Sequence, residues 1–86
     1  MTLAEQFQDA QNRVKSLSSA PGTDKLLDLY GLYKQGTNGD VDGKRPGMLD
    51  IKGRAKYDAW AGRKGMSKDA AMTEYVALVD RLVAGR

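Results

Sequence analysis

Apolar residues in this chain recur at intervals of three and four, and no stretch alternates with period two for long enough to form a strand. The pattern is clearest near the end of the chain, where Ser67 and Asp69 open a segment whose apolar side chains share one helical face: Met72, Tyr75, Val76, Val79, Leu82 and Val83. This spacing predicts an α-helix from Ser67 almost to the last residue. A helix with one apolar face must bury that face against another element.

Two similar segments precede it. Thr2 and Glu5 fit a capping box, and the apolar residues of the following helix form one stripe: Leu3, Phe7, Ala10, Val14 and Leu17. We expect Thr23 to cap a second helix, which ends at the residues 36–39 and has four side chains on one face: Leu26, Leu29, Tyr30 and Tyr33.

A third helix is predicted from Asp50 to about Arg63, with Gly65 as its stop. Its apolar stripe would be Ile51, Ala55 and Ala59. The sequence therefore predicts an all-α fold with four helices. We expect a single domain over residues 1–86, because a chain of 86 residues cannot bury two cores.

The composition argues against several classes of function. The chain has no histidine and no cysteine, which removes the usual general base, the thiol nucleophile and the commonest metal ligands. We therefore expect a non-enzymatic binding protein that needs no metal and no cofactor. It has no apolar run of the ~20 residues that span a bilayer and no signal-peptide pattern, so we expect a cytoplasmic protein.

Positive charge is concentrated in the middle of the chain. Residues 34–64 contain eight basic and four acidic side chains, a local charge of +4, whereas the rest of the chain carries −1. Two tyrosines, Tyr30 and Tyr33, share a helical face, Lys34 lies four residues from Tyr30, and Lys56 precedes a further tyrosine. Rings can stack on a base and ammonium groups can bind phosphate. From spacing alone, however, the tyrosines could equally be core residues and the lysines solvated.

The connection between the second and third helices, residues 36–49, is long for a small helical domain, which favours a functional role. Its residues 38–43 are similar to the first half of a calcium loop, but Leu49 stands where the bidentate Glu is required. We interpret these residues as turn formers rather than as a calcium site.

Five segments together resemble the acyl-CoA-binding protein family, in order and at the family's spacing over nearly the whole chain. They are YGLYKQ at 30–35, GD at 39–40 with RPGMLD at 45–50, KGRAKYDAW at 52–60, GMSK at 65–68 and AMTEY at 71–75. The resemblance implies an up-down-down-up four-helix bundle. It also implies a protein that binds, buffers and transports medium- to long-chain fatty acyl-CoA esters inside the cell, without chemistry on the ester.

The resemblance also implies roles for individual residues. Tyr33 is similar to the ring that stacks on adenine, and Tyr30, Lys34 and Lys56 are similar to the groups around the ribose 3′-phosphate. The remaining implied contacts are a polar contact from Tyr75 on the fourth helix, Lys15 on the first helix, and Leu26 and Leu27 beside the acyl tunnel.

Three positions depart from the family pattern. Tyr57 stands where tryptophan is usual, Ala20 where a basic residue is often found, and Gln11 where a small residue is common. The implied protein is a monomer that contacts acyl-CoA-using enzymes transiently.

The sequence argues against three other functions. A small basic bundle that binds single-stranded nucleic acid is the main alternative, but its positive charge would be interrupted by four aspartates in residues 34–64. A membrane-bound fourth helix is disfavoured by Asp69, Glu74 and Asp80, so we expect no stable membrane insertion. An enzyme would need converging carboxylates, which the spacing does not reveal.

Overall fold

The computed structural model describes residues 1–85, and the described part contains four α-helices and no strand. The helices are α1 (Leu3–Lys15), α2 (Thr23–Asn38), α3 (Ile51–Ala61) and α4 (Lys68–Ala84). The all-α prediction is therefore confirmed. No helix in these 85 residues is long and apolar enough to cross a bilayer.

Three helices begin at the predicted caps. Thr2 and Glu5 form the capping box, with the Thr2 hydroxyl accepting the Glu5 N–H at 3.1 Å and the Glu5 carboxylate accepting the Thr2 N–H at 2.8 Å. The Asp50 carboxylate accepts the N–H of Gly53, and the Ser67 hydroxyl accepts the N–H of Ala70, each at 3.0 Å. These side chains satisfy helix donors that have no partner within the helix.

The structure corrects two of the predicted helix boundaries and confirms a third. Gly22, not Thr23, is the N-cap of α2, because its carbonyl already accepts the N–H of Leu26 and Thr23 is the first helical residue. The predicted end of α2 at residues 36–39 is confirmed, since the last helical residue is Asn38 and Gly39, with φ of 83°, is the C-cap. The helix α3 ends at Ala61 instead of Arg63, because the N–H groups of Arg63 and Lys64 donate to carbonyls three residues earlier, as in a 3₁₀-helix.

Contacts between side chains give the directions of α1, α2 and α4. The rings of Phe7 and Tyr75 lie 5.0 Å apart, and Arg13 donates to Asp80 at 2.8 Å, so α1 and α4 run parallel. Phe7 also stacks on Tyr33 of α2, which places Tyr33 level with Tyr75. Gly36, one turn further along α2, lies against Met72, which precedes Tyr75 on α4. Helix α2 is therefore antiparallel to α4.

The helix α3 runs parallel to α2. The ammonium of Lys56 lies over the ring of Tyr30, and four residues later on both helices Lys34 lies over Trp60. The four directions together are the predicted up-down-down-up order. Helices α2 and α4 are central, while α1 packs on α4 and α3 packs on α2.

One apolar cluster joins α1, α2 and α4. Its buried members are Phe7, Ala10, Leu29, Leu32, Ala71, Tyr75, Leu78 and Val79. The helix α3 contributes only Trp60 to the buried residues. The predicted stripe on α3 is wrong at Ile51, which is 77% exposed, because α3 packs against a single neighbouring helix.

Candidate ligand-binding site

Two lysines and two aromatic rings meet where α2 packs on α3. Tyr30 and Lys34 are one turn apart on α2, and Lys56 and Trp60 are one turn apart on α3. The Lys56 ammonium lies 5.7 Å from the centre of the Tyr30 ring, and the Lys34 ammonium lies 4.7 Å from the centre of the Trp60 ring. Each lysine thus rests on a ring of the opposite helix. We call these four residues the lysine seam.

A glycine allows the two helices to approach closely at the seam. Gly31 is buried, and a Cβ atom at this position would collide with the carbonyl oxygen of Ala59 on α3. Backbone therefore lies directly against backbone here. This close packing is what lets side chains from α2 reach rings on α3.

The loop between α2 and α3 is tied to α3 by side chains. The indole N–H of Trp60 donates to the carbonyl of Gly39 at 2.8 Å, and the Tyr57 hydroxyl donates to the carbonyl of Gly43 at 3.2 Å. Arg45 makes two hydrogen bonds to the Asp58 carboxylate, at 2.7 and 2.9 Å. These bonds hold the pKa of Asp58 below its usual value. Tyr57, a departure from the family pattern, therefore fastens this loop.

Asp40 fixes the start of the same loop to the turn after α3. Its Oδ1 atom accepts the N–H of Gly65 at 2.8 Å and the side-chain amide of Gln35 at 2.9 Å. The Gly65 bond, followed by the Gln35 bond, lowers the pKa of Asp40. This carboxylate faces donors, and residues 1–85 contain no group of three histidine, cysteine, aspartate or glutamate side chains able to hold a metal.

A mainly apolar cavity of about 590 Å³ opens beside the seam, between the ends of α1 and α2 and the middle of α4. This volume is within the range of small-molecule sites. The lining includes five residues that the sequence singled out: Lys15, Leu26, Tyr30, Tyr33 and Tyr75. Tyr30 belongs to both the cavity and the lysine seam, so the two features form one continuous surface.

The two other cavity tyrosines are held by Phe7. The Tyr33 ring stacks on Phe7 at 6.1 Å with 29° between the planes, and 38% of Tyr33 remains exposed. Tyr75 meets Phe7 edge-on at 82° and is only 5% exposed. Burial, followed by the nearby Tyr33, raises the pKa of Tyr75, so its hydroxyl stays protonated near neutral pH. Tyr33 thus has ring surface left for a ligand, and Tyr75 offers a hydroxyl.

The site is electropositive. In the part of the chain that the structure describes, the ion pairs involve arginines only, and none includes Lys15, Lys34 or Lys56. Their ammonium groups are therefore available to an anion.

Three of the residues selected from the sequence lie outside the cavity lining. Lys34 and Lys56 belong to the seam instead, and Leu27 is half-buried and lines neither feature. The remaining lining residues were not chosen as site residues: Gln11, Val14, Leu17, Ala20, Pro21 and Leu29. For Val14 and Leu17 the sequence did contain a signal, because both belong to the apolar stripe of α1. Leu17 lies two residues beyond the end of α1, so this stripe extends past the helix and its last residue is free to line a cavity.

The family model described as "Acyl CoA binding protein" matches residues 4–79 of this chain. A curated relative from Caenorhabditis elegans, "Acyl-CoA-binding protein homolog 1", is 52% identical over 84 residues, covering 98% of this chain and 95% of the relative. The "Acyl-CoA-binding protein" of Saccharomyces cerevisiae is 45% identical over 82 residues, covering 95% of this chain and 94% of the relative.

Solved structures agree with these matches. The crystal structure of Oryza sativa Acyl-CoA-Binding Protein 2 superposes with a TM-score of 0.93 at 39% identity, over 98% of this chain and 93% of that one. The solution structure of the yeast acyl coenzyme A binding protein superposes with a TM-score of 0.75 at 45% identity, over 95% of each chain. The resemblance seen in the sequence therefore extends to the fold.

Proposed function

Because this chain belongs to the acyl-CoA-binding protein family, we propose that it binds fatty acyl-CoA esters at the lysine seam and the adjoining cavity, and carries them between sites of synthesis and use. The single observation that supports this most strongly is the position of Tyr30 in both features. A cationic, aromatic surface continuous with an apolar cavity suits one ligand that has a phosphorylated head and an acyl tail.

We assign the head to the seam. A 3′-phosphate between Lys34 and Lys56 would meet two ammonium groups that have no acidic partner within residues 1–85. The adenine would stack on the exposed part of Tyr33, while the hydroxyls of Tyr30 and Tyr75 and the ammonium of Lys15 would contact polar parts of the ligand. We assign the acyl chain to the apolar part of the cavity near Leu26 and Leu27, of which Leu26 lines the cavity.

The same proposal extends to the setting in which the protein works. We expect a monomeric cytoplasmic carrier that performs no reaction on its ligand, requires no cofactor, and contacts acyl-CoA-using enzymes only briefly. The absence of histidine and cysteine from the chain supports the non-enzymatic part. Neither the matched family nor the names of the relatives point to nucleic acid.

Calorimetry with a series of acyl-CoA chain lengths tests the proposal. Each methylene buried in the cavity should contribute about 0.8 kcal/mol, roughly a fourfold gain in affinity, until the cavity is full. Free coenzyme A and free palmitate are the controls, and both should bind far more weakly than palmitoyl-CoA. Equal affinity for coenzyme A and its palmitoyl ester would show that the cavity does not hold the acyl chain.

A further inference from the structure

Three large apolar side chains project into solvent where the long loop enters α3. Met48 is 81% exposed, Leu49 is 99% exposed and Ile51, the first residue of α3, is 77% exposed. They are half of the six large hydrophobic residues that the described chain exposes, and they fall within four consecutive positions. Scattered exposed leucines are ordinary, whereas a cluster marks an interaction surface. We call these three residues the apolar tip.

The apolar tip lies at the same end of the molecule as part of the cavity lining. Helices α2 and α3 are parallel, and Tyr30 is level with Lys56. Ile51, five residues before Lys56, is therefore level with the start of α2, where Leu26 lines the cavity and is 46% exposed. The opposite end of the molecule carries Lys68, whose side chain lies close to Gly39 at the end of α2.

Basic side chains flank the apolar tip. Residues 44–56 contain five basic residues and one acidic residue, Asp50. Asp50 is engaged as the cap of α3 through Gly53, and Arg45 is paired with Asp58. Lys44 and Lys52 are exposed, and neither is among the ion pairs of residues 1–85. The apolar tip is therefore surrounded by positively charged surface.

We propose that the apolar tip docks reversibly on the surface of a bilayer that contains anionic phospholipid. Headgroups of negative charge attract flanking lysines, and the boundary of the acyl region accepts exposed apolar side chains. A second copy of this chain is the weaker candidate, since pairing two such tips would bring two positively charged rims together. No helix inserts across the bilayer; only these three side chains enter its interface.

Docking at this end would bring Leu26 of the cavity lining close to the bilayer, so that an acyl chain could pass between lipid and protein with little exposure to water. That consequence rests on the proposed function. The docking itself does not, since it requires only the tip and its lysines.

Flotation of the ligand-free protein with vesicles provides the test. The protein should float with vesicles of phosphatidylcholine and phosphatidylserine, and much less with phosphatidylcholine alone. Leu49→Ser should weaken this association by at least about fivefold, and Lys52→Glu by a similar or larger factor. The matched control is Lys68→Glu, which makes the same charge change at the opposite end and should alter the association less than about twofold.

Other outcomes would overturn the proposal. If Lys52→Glu and Lys68→Glu weaken the association with vesicles equally, net charge alone drives the binding. If the unaltered protein does not float with anionic vesicles, the apolar tip is not a docking surface. A dimer that depends on Leu49, seen by sedimentation, would identify a second copy as the occupant. Because Leu49 is almost fully exposed, its substitution should not affect folding.

Calorimetry with palmitoyl-CoA in the absence of vesicles separates this proposal from the function on which its consequence rests. Leu49→Ser should retain the affinity of the unaltered protein for the ester. If Leu49→Ser loses affinity for palmitoyl-CoA as well as for vesicles, the apolar tip belongs to the ligand-binding site instead. If the unaltered protein floats but does not bind palmitoyl-CoA, the function fails and the docking stands.

Discussion

At the scale of single residues, a phosphate would compete with an aromatic ring for the ammonium group of each lysine in the seam. The ammonium groups of Lys34 and Lys56 lie 4.7 and 5.7 Å from ring centres. A cation over a ring at an exposed site is worth about 0.5–1 kcal/mol. A hydrogen bond to a charged group is worth about 1.5–3 kcal/mol. A phosphate bound here should therefore replace the rings as the partner of the two lysines, which the rings hold in place in its absence.

The two lysines should act on one phosphate. Lys34→Ala and Lys56→Ala should each reduce the free energy of palmitoyl-CoA binding by about 1.5–3 kcal/mol, and the double variant should lose less than the sum of the two. Calorimetry measures all three, with Arg81→Ala as a control: Arg81 is exposed in the last turn of α4 and belongs to neither the seam nor the cavity lining. The acyl ester of dephospho-coenzyme A decides the assignment: if the variants lose as much affinity for it, these lysines do not contact the 3′-phosphate.

Tyr33 and Tyr75 should differ in which part of the side chain matters. Tyr33→Ala should weaken binding by about 1–3 kcal/mol through the lost stacking surface, whereas Tyr33→Phe should keep nearly full affinity. Tyr75→Phe should lower affinity with little change in thermal stability, because its ring packs on Phe7 and only the hydroxyl is removed. Full affinity in Tyr75→Phe would return that tyrosine to a purely structural role.

At the scale of elements, α2 is the central helix of the site, and two of its glycines face different neighbours. Gly31 faces the backbone of Ala59 on α3. Gly36 faces side chains: a Cβ atom there would lie 3.2 Å from Cγ of Met72 and 3.3 Å from Cζ of Phe7. A methionine side chain can shift by a few tenths of an ångström, and a helix backbone cannot do so alone.

Alanine substitutions at these two glycines form a matched pair. Both gain helix propensity, up to about 1 kcal/mol. Gly36→Ala should therefore change the free energy of unfolding by less than about 1 kcal/mol or raise it, whereas Gly31→Ala should lose about 1–3 kcal/mol through forced separation of α2 and α3. Denaturant unfolding measures both. Equal stability of the two variants would contradict the close approach at the lysine seam.

Gly31→Ala should also affect the ligand. Moving α3 away from α2 separates Lys56 from Tyr30, so palmitoyl-CoA affinity should fall in Gly31→Ala while Gly36→Ala retains it. The helix α3 is particularly sensitive to such a change, because α2 is the only helix it packs against in residues 1–85.

At the scale of the whole molecule, the described residues form a flattened body of 37 × 28 × 15 Å with α3 on the outside. Trp60 is the only tryptophan, lies under Lys34, and is 8% exposed. It therefore reports on events at the seam without being exposed to solvent.

Trp60 emission should change when ligand arrives and should saturate at one palmitoyl-CoA per protein. Added salt should weaken binding only moderately, because it screens the phosphate contacts and leaves burial of the acyl chain intact. Binding to nucleic acid by counterion release would instead fall steeply with salt. A signal that responds to single-stranded DNA at physiological salt, and not to palmitoyl-CoA, would contradict the assignment.

Local interactions explain what could be predicted from the sequence. The helices begin at Thr2, Asp50 and Ser67 because each side chain caps N–H groups only three residues away, and the spacing of apolar residues defines one face within a single helix. The spacing of rings and lysines pointed to Tyr30, Tyr33, Lys34 and Lys56, and the family resemblance added the up-down-down-up order and a specific role for each of them. The individual roles of these residues in binding remain predictions.

Tertiary structure decided which faces meet, because packing joins residues that are far apart in the chain and no local pattern specifies its geometry. Ile51 has a helical spacing typical of a core residue, yet α3 has only one neighbouring helix and Ile51 lies in solvent. In the lysine seam each lysine contacts a ring of the other helix, which requires α2 and α3 to be parallel and to approach closely at Gly31. The cavity lining likewise combines Pro21, from the connection between α1 and α2, with Tyr75 of α4. Sequence alone determined the helices and the kinds of side chain available, and the packing of α2 between α3 and α4 determined where they act together.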